Sequence, residues 1–247
     1  MGNYKLLALD MDGTVLNDRQ QITPDTAYWI QEAVKAGITV SFSTGRGFDS
    51  AMPYAKQLGL DSPMITVNGG EVWSAPYQLH RRHLMDAGVM KELYQIAKRY
   101  DVWFWAYSVG QIYLRSSWDN EIIFEDKEWL KFGYTVEDEG MRHEILSLLR
   151  AMGGLEITNS SPTNIELNPK GISKASGLLD VCELLGIGMH EVVAVGDSIN
   201  DLAAIQAVGL GVAMGNAQET VKEAADQVVA SNEEDGVAEV IRKYLLK

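Results

Sequence analysis

Short apolar runs alternate with segments of helical period at both ends of the chain, and this alternation is the first clue to its architecture. Residues 4–9 form a nearly continuous apolar run, as expected of a strand buried on both faces. Thr23-Pro24 reads as the start of a helix reaching about residue 36, where Gly37 stops it. A second strand is predicted over 38–43, a helix over 48–58 closed by Gly59, and a third strand over 64–67. Past residue 170 the theme resumes with a helix over 173–185, a strand over 191–195 and a helix over 201–208. A strand over 210–214, a helix from 217, a strand over 227–229 and a closing helix over 237–246 complete it. Strands and helices in this order predict a parallel sheet covered on both faces.

The middle of the chain has a different rhythm. A helix is expected over 86–100 with Asp86 as its N-cap, followed by strands over 102–107 and 111–115 that flank a Val109-Gly110 hairpin turn. A second helix near 138–151 precedes strands over 155–158 and 163–167, separated by the turn-rich Asn159-Ser160-Ser161-Pro162. Residues 68–80 and 116–137 carry no assigned element. The pattern predicts an α/β protein: a Rossmann-like parallel-sheet domain from 1–80 and 171–247, with a smaller α+β domain inserted over 81–170.

Composition adds constraints. With 247 residues, 46% of them hydrophobic, the chain can bury one large core or a core plus a smaller one. The 21 Lys+Arg against 34 Asp+Glu leave a net charge of −13 and no basic stripe, which argues against a nucleic-acid partner. It does not argue against a small phosphorylated metabolite, because a metal and a few cations can reverse the field inside one cleft. No apolar run nears the roughly 20 residues that span a bilayer, so no membrane partner is expected. Cys182 is the only cysteine, within an apolar helical stretch, and is expected to be a small core residue. A lone thiol and the lack of a signal-peptide pattern lead to the expectation of a cytoplasmic protein. Nothing in the sequence bears on oligomeric state.

The polar residues fall where the strands end. The first strand runs into Asp10-Met11-Asp12-Gly13-Thr14, the second into Thr44-Gly45-Arg46, and the strand over 191–195 into Gly196-Asp197-Ser198-Ile199-Asn200-Asp201. In an open parallel sheet all carboxyl ends share one edge, where ligands bind. Asp10, Asp12 and Asp197 would concentrate negative charge there that calls for a hard cation such as Mg²⁺. With the cation in place, a carboxylate can attack a phosphate ester while a second carboxyl two residues on moves the proton. Thr44 offers a hydroxyl, Gly45 a backbone that phosphate can approach, and Lys174 a fixed positive charge at a predicted helix N-terminus. Each motif alone has a plainer reading, as an Asx turn, a strand-to-helix turn, a surface lysine or an acidic helix start. Their joint occurrence, in order and each at an element end, favours chemistry.

Together, Asp10-Met11-Asp12-Gly13-Thr14, Thr44-Gly45-Arg46, Lys174 and the segment Gly196 to Asp201 resemble the four ordered motifs of the haloacid dehalogenase superfamily. The insertion and the phrase Ala213-Met214-Gly215-Asn216-Ala217 resemble its Cof-type phosphatase branch, with a C2-type cap. The resemblance implies that Asp10 is a nucleophile and Asp12 a general acid/base. It implies Mg²⁺ held by Asp10, Asp197 and the backbone carbonyl of Asp12. Thr44, Lys174 and Asn200 would contact the phosphoryl group, and Asp201 would orient Lys174 or support the metal shell. The inserted domain would act as a cap that selects the substrate.

Other residues have weaker claims. Arg46 could clamp a phosphate or a substrate carboxylate bidentately, or pair with a surface acid, and Asn68 could reach the same edge or simply form a turn. His80, His83, His143 and His190 lack metal-binding spacing and are expected at the surface. Trp103, Trp105 and Tyr107 alternate along one strand face, which could form an aromatic wall for a sugar or heterocycle but is expected rather to pack against the helices of its own unit. Two alternatives to a phosphatase stay open: a phosphotransferase or phosphomutase that passes the aspartyl-phosphate to another hydroxyl, and a non-enzymatic phosphate sensor. Phosphate release without an added acceptor separates the first, and turnover beyond one equivalent separates the second.

Overall fold

A computed structural model describes residues 4–119 and 121–246. The chain divides into two compact units, one of Met1–Arg81 with Ser173–Lys247 and the other of Arg82–Ile172. The first begins with strand β1 (Leu6–Leu9), helix α1 (Pro24–Lys35), β2 (Thr39–Phe42), α2 (Phe48–Leu58) and β3 (Met64–Thr66). Thr23 caps α1 by accepting from the Thr26 amide. Strands β4 (Glu71–Ala75) and β5 (Gln78–Arg82) follow and form a small sheet ordered β3-β4-β5. The sequence pattern had no element there: Gln78–Arg82 is polar and exposed, so it carries no alternation to read.

The second unit contains α3 (Ala87–Tyr100), β6 (Trp103–Ser108), β7 (Gln111–Leu114), β8 (Trp129–Thr135), α4 (Glu139–Met152), β9 (Leu155–Thr158) and β10 (Asn164–Pro169). Its strands build an antiparallel sheet in the order β7-β6-β8-β10-β9. One face packs on α3 and α4 through Phe104, Ala106, Phe132, Tyr134, Ile165 and Leu167. Strand β8 lies at the centre of this sheet yet was unassigned from sequence, because Lys131 and Gly133 interrupt its apolar run. Both have a structural reason. Lys131 is buried against Glu166 at 2.7 Å, and Trp105 lies directly over Gly133.

The aromatic stripe corrects an expectation. Along β6 it is Phe104, Ala106 and Ser108 that are buried, so the residues facing the helices are these and not the stripe. Trp103, Trp105 and Tyr107 point to the opposite face of the sheet, where Trp103 is 42% exposed and the Lys131 ammonium sits 5.6 Å from the Tyr107 ring.

The chain then returns to the first unit with α5 (Lys174–Leu185), β11 (Val192–Gly196), α6 (Ile199–Ala207), β12 (Leu210–Ala213), α7 (Glu219–Ala224), β13 (Gln227–Val228) and α8 (Gly236–Val240). The closing helix differs from expectation: past Val240 it continues as a π-helical turn over Ile241–Leu245. Five strands form a parallel sheet ordered β13-β12-β11-β1-β2. Leu7 and Leu9 face one cluster with Val193 and Val195, while Leu6 and Ala8 face another with Val192 and Ala194. Both faces of β1 are therefore buried, which is why it reads as an unbroken apolar run. From β1 the chain proceeds outward to β2 on one side and from β11 to β12 and β13 on the other. Their carboxyl ends thus flank the point where strand order reverses, the usual place for a ligand crevice. Cys182 is buried as expected. Among the described residues no helix is long and apolar enough to cross a membrane.

In the second unit, the Tyr134 hydroxyl donates to the Leu93 carbonyl at 2.8 Å, and burial pushes the phenol well above its ordinary pKa. The unfolded chain would ionise first, near pH 10, so the stability from this group is full below that pH and falls as pH rises through it. Tyr134→Phe should cost about 1 kcal/mol at pH 7. In urea unfolding the gap to wild type should narrow at pH values above 10; an unchanged or wider gap would contradict the assignment.

Candidate active site

Asp10 is the first residue after β1, and its amide donates to the Val195 carbonyl at 3.0 Å, which fixes it beside the end of β11. Its side chain is almost fully buried. Lys174, the first residue of α5, is completely buried, with its ammonium 2.6 Å from Asp10 Oδ1 and 2.7 Å from Asp201 Oδ1. Ser173 caps α5 and exchanges hydrogen bonds with Ser176, so the helix start and Lys174 are held together.

Asp201 sits in the first turn of α6, which begins at Ile199, two residues earlier than expected. Its Oδ2 accepts from the amides of Asp197 and Ser198, both at 3.1 Å, in a capping-box arrangement. A Cβ at Gly196 would collide with the Asp201 carboxyl carbon, so the close approach requires glycine there. With Oδ1 on Lys174 and Oδ2 on two amides, Asp201 acts on the site by holding Lys174. Asp197 accepts from Ser198 Oγ at 2.9 Å and from Thr14 Oγ1 at 3.4 Å.

Carboxylate oxygens of Asp10, Asp197 and Asp201 can all lie within 4.8 Å of one another. Three carboxylates face one ammonium, an imbalance of two negative charges (three minus one) in a buried place. The titration of the groups reflects it. Burial, with the neighbouring Asp201 and Asp197 charges, pushes Asp10 well up despite Lys174. Burial and Asp201 push Asp197 up to about 7. Burial alone would lower Lys174, but Asp10 and Asp201 outweigh it and hold the ammonium charged. Such a donor set, all oxygen and short of two positive charges, fits a hard divalent cation. Asp201 is the most heavily engaged, with one oxygen on the ammonium and the other on two amides, whereas each Asp197 oxygen accepts a single hydroxyl and keeps a lone pair for a cation.

Asp12 is more open, and Arg46 grips it with two hydrogen bonds, Nε to Oδ2 at 2.7 Å and Nη2 to Oδ1 at 2.6 Å. Burial alone would raise this carboxyl, but the Arg46 hydrogen bonds and charge hold it below the usual range. Arg46 also bonds Gln20 and lies over the Tyr54 ring. Of the two uses expected for Arg46, the structure places it on an acid, and that acid is Asp12. Thr44 is buried beyond β2, and its Oγ1 accepts from the Arg46 amide at 3.1 Å. Gly45 lies between them on the same loop.

Asn200 is buried in the first turn of α6; its Nδ2 donates to Asn68 Oδ1 at 3.3 Å, and its own Oδ1 has no hydrogen-bond partner among the described residues. Asn68 follows β3 in a turn where Val67, Asn68 and Gly69 all have positive φ, at 54°, 57° and 92°. For a β-branched residue such as Val67 this is a strained state, costing on the order of 1–3 kcal/mol. Sequence reasoning missed Asn216, whose Nδ2 donates to the Gly13 carbonyl and whose Oδ1 accepts from the Asn232 amide, tying down the loop after β1. The only signal was its place in the Ala213-to-Ala217 phrase. Of the histidines, His80, His143 and His190 are exposed and His83 half-buried.

The sequence pattern of the haloacid dehalogenase-like hydrolases matches residues 7–241. The 5-amino-6-(5-phospho-D-ribitylamino)uracil phosphatase YcsE of Bacillus subtilis (strain 168) is 46% identical over 244 residues, 99% of this chain and 97% of the relative. The pyridoxal phosphate phosphatase YbhA of Escherichia coli (strain K12) is 27% identical, covering 98% of this chain and 99% of that protein. A solved haloacid dehalogenase-like hydrolase from Bacteroides thetaiotaomicron is 31% identical with a TM-score of 0.79, over 97% of this chain and 99% of that one.

The buried ion triad generates a direct test. Lys174→Met leaves two carboxyls buried without their cation and should cost about 3–5 kcal/mol of stability. Urea unfolding reads this; a loss below about 1 kcal/mol would show that Lys174 does not hold the cluster together.

Proposed function

The chain belongs to the haloacid dehalogenase-like hydrolases and is a phosphatase, and from that premise we propose that it hydrolyses a small phosphate monoester through an aspartyl-phosphate on Asp10. The observation that carries this reading is Lys174, whose ammonium binds Asp10 Oδ1 at 2.6 Å in a cluster where carboxylate oxygens of Asp10, Asp197 and Asp201 lie within 4.8 Å of one another. In the first step a carboxylate oxygen of Asp10 attacks phosphorus, the ester P–O bond breaks, and Asp12 gives its proton to the departing alkoxide. In the second, Asp12 takes a proton from the water that attacks the acyl phosphate, releasing inorganic phosphate and restoring Asp10. Thr44, Gly45, Lys174 and Asn200 hold the phosphoryl oxygens, and Asp201 keeps Lys174 in place.

Asp10, Asp197 and the backbone carbonyl of Asp12 would hold a magnesium ion, which would supply the charge neutralisation that a phosphate dianion needs beside two carboxylates. In its first role Asp12 needs a proton, so it must leave Arg46, whose grip favours the ionised form. Arg46 is then released for the substrate. In this reading the unit Arg82–Ile172 is the cap that selects the leaving group, and the parallel-sheet unit carries the chemistry. The 46% identity to a phosphatase of a ribitylaminouracil phosphate supports that ester as the first substrate to try, with sugar phosphates and pyridoxal phosphate beside it. The cytoplasmic setting expected from the lone thiol is carried into the same proposal.

Phosphate release from such a panel, with Mg²⁺ and with chelator, tests the reading. Asp10→Asn should lower kcat at least about a thousandfold. Asp12→Ala should lower it about 10²–10⁴-fold. Asp197→Asn should raise the Mg²⁺ needed for half-maximal rate at least about tenfold. Substantial turnover by Asp10→Asn would overturn the covalent mechanism, and an unchanged metal response in Asp197→Asn would remove it from the metal site.

A further inference from the structure

The phosphate-contacting residues proposed above come from three separate loops, after β2, at the start of α5 and at the start of α6. The sheet sets the first against the third through β1, but the start of α5 lies outside it. One short turn touches all three. The Val67 amide donates to the Arg46 carbonyl at 2.8 Å and the Asn68 amide to the Thr44 carbonyl at 2.9 Å. The Asn68 side chain holds the Asn200 amide. Gly69 presses on the N-cap of α5 so closely that a Cβ there would collide with the Ser173 carbonyl oxygen. Three successive left-handed residues, two of them not glycine and both buried, make a conformation that persists only when its surroundings over-determine it.

Resting on the phosphatase reading, we propose that Asn68 is a positioning residue, which acts on the phosphoryl group through Asn200. An amide nitrogen has two N–H groups. Asn68 Oδ1 takes one of those on Asn200, which settles which end of the amide is nitrogen and leaves the second N–H for a phosphoryl oxygen. Without Asn68 the amide can rotate by half a turn and present its carbonyl, which repels that oxygen. The backbone of the same turn sets Thr44 and the α5 start at fixed distances from Asn200.

Asn68→Gly tests this without disturbing the backbone, since glycine adopts positive φ freely. The variant should lower kcat and kcat/KM together by about 10–100-fold, the range for a group that orients a direct ligand. In a double-mutant cycle, the same change in an Asn200→Ala background should cost less than about threefold, because the residue it acts through is gone. Equal losses in both backgrounds, or no loss in the single variant, would overturn the proposal. A readout independent of turnover separates its failure from that of the phosphatase reading. In substrate-free protein, the Asn200 side-chain amide protons should shift and exchange faster in Asn68→Gly than in wild type. Unmoved Asn200 amide signals would refute the positioning role even if the enzyme is a phosphatase. Moved signals in a protein that releases no phosphate would leave the positioning contact standing and sink the reaction.

Discussion

A lysine with no exposed surface stands between two carboxylates at the carboxyl edge of the parallel sheet, and much of the surrounding structure answers to it. Removing an ammonium from water costs several kcal/mol, recovered only where the geometry of its partners is good. Lys174 has two such partners, Asp10 from the end of β1 and Asp201 from the first turn of α6. Asp201 in turn is fixed by two amides, so its charge is directed along with its position. The third carboxylate, Asp197, has no ammonium against it, and the excess negative charge is what fits the place to a cation.

Local conformations that look unfavourable in isolation follow from this crowding. Glycine at 196 lets Asp201 close on the strand end, and the left-handed turn after β3 lets three loops meet at one point. The central strands β1 and β11 beneath this edge are buried on both faces. The second unit has its own aromatic core and its own buried ion pair, Lys131 with Glu166.

Much of this was legible in the sequence. The α/β class, the parallel strands and the family resemblance followed from unbroken apolar runs that end in Asp, Thr or Gly-Asp, because a strand buried on both faces has no other way to look. Legibility failed where polar residues are buried in pairs or where strands have no buried face. Strand β8 was hidden by Lys131, whose partner Glu166 is 35 residues away, a relation that no local pattern carries. Strand β5 was hidden by its exposure. The stripe of Trp103, Trp105 and Tyr107 misled because aromatic residues were assumed to mark the core face, whereas smaller Ala106 and Ser108 share that face with Phe104. The grip of Arg46 on Asp12 and the contact of Asn68 with Asn200 join residues 34 and 132 apart, so only the folded chain could reveal them.

The most direct test of the account is to catch the phosphoryl group on the protein. Wild type would be mixed with a radiolabelled phosphate ester and Mg²⁺, quenched in acid within one turnover, digested, and the label located by mass spectrometry. The account predicts label on the peptide that contains Asp10, removable by hydroxylamine as an acyl phosphate is. Label on another residue, or none on a protein that is turning over the ester, would contradict it.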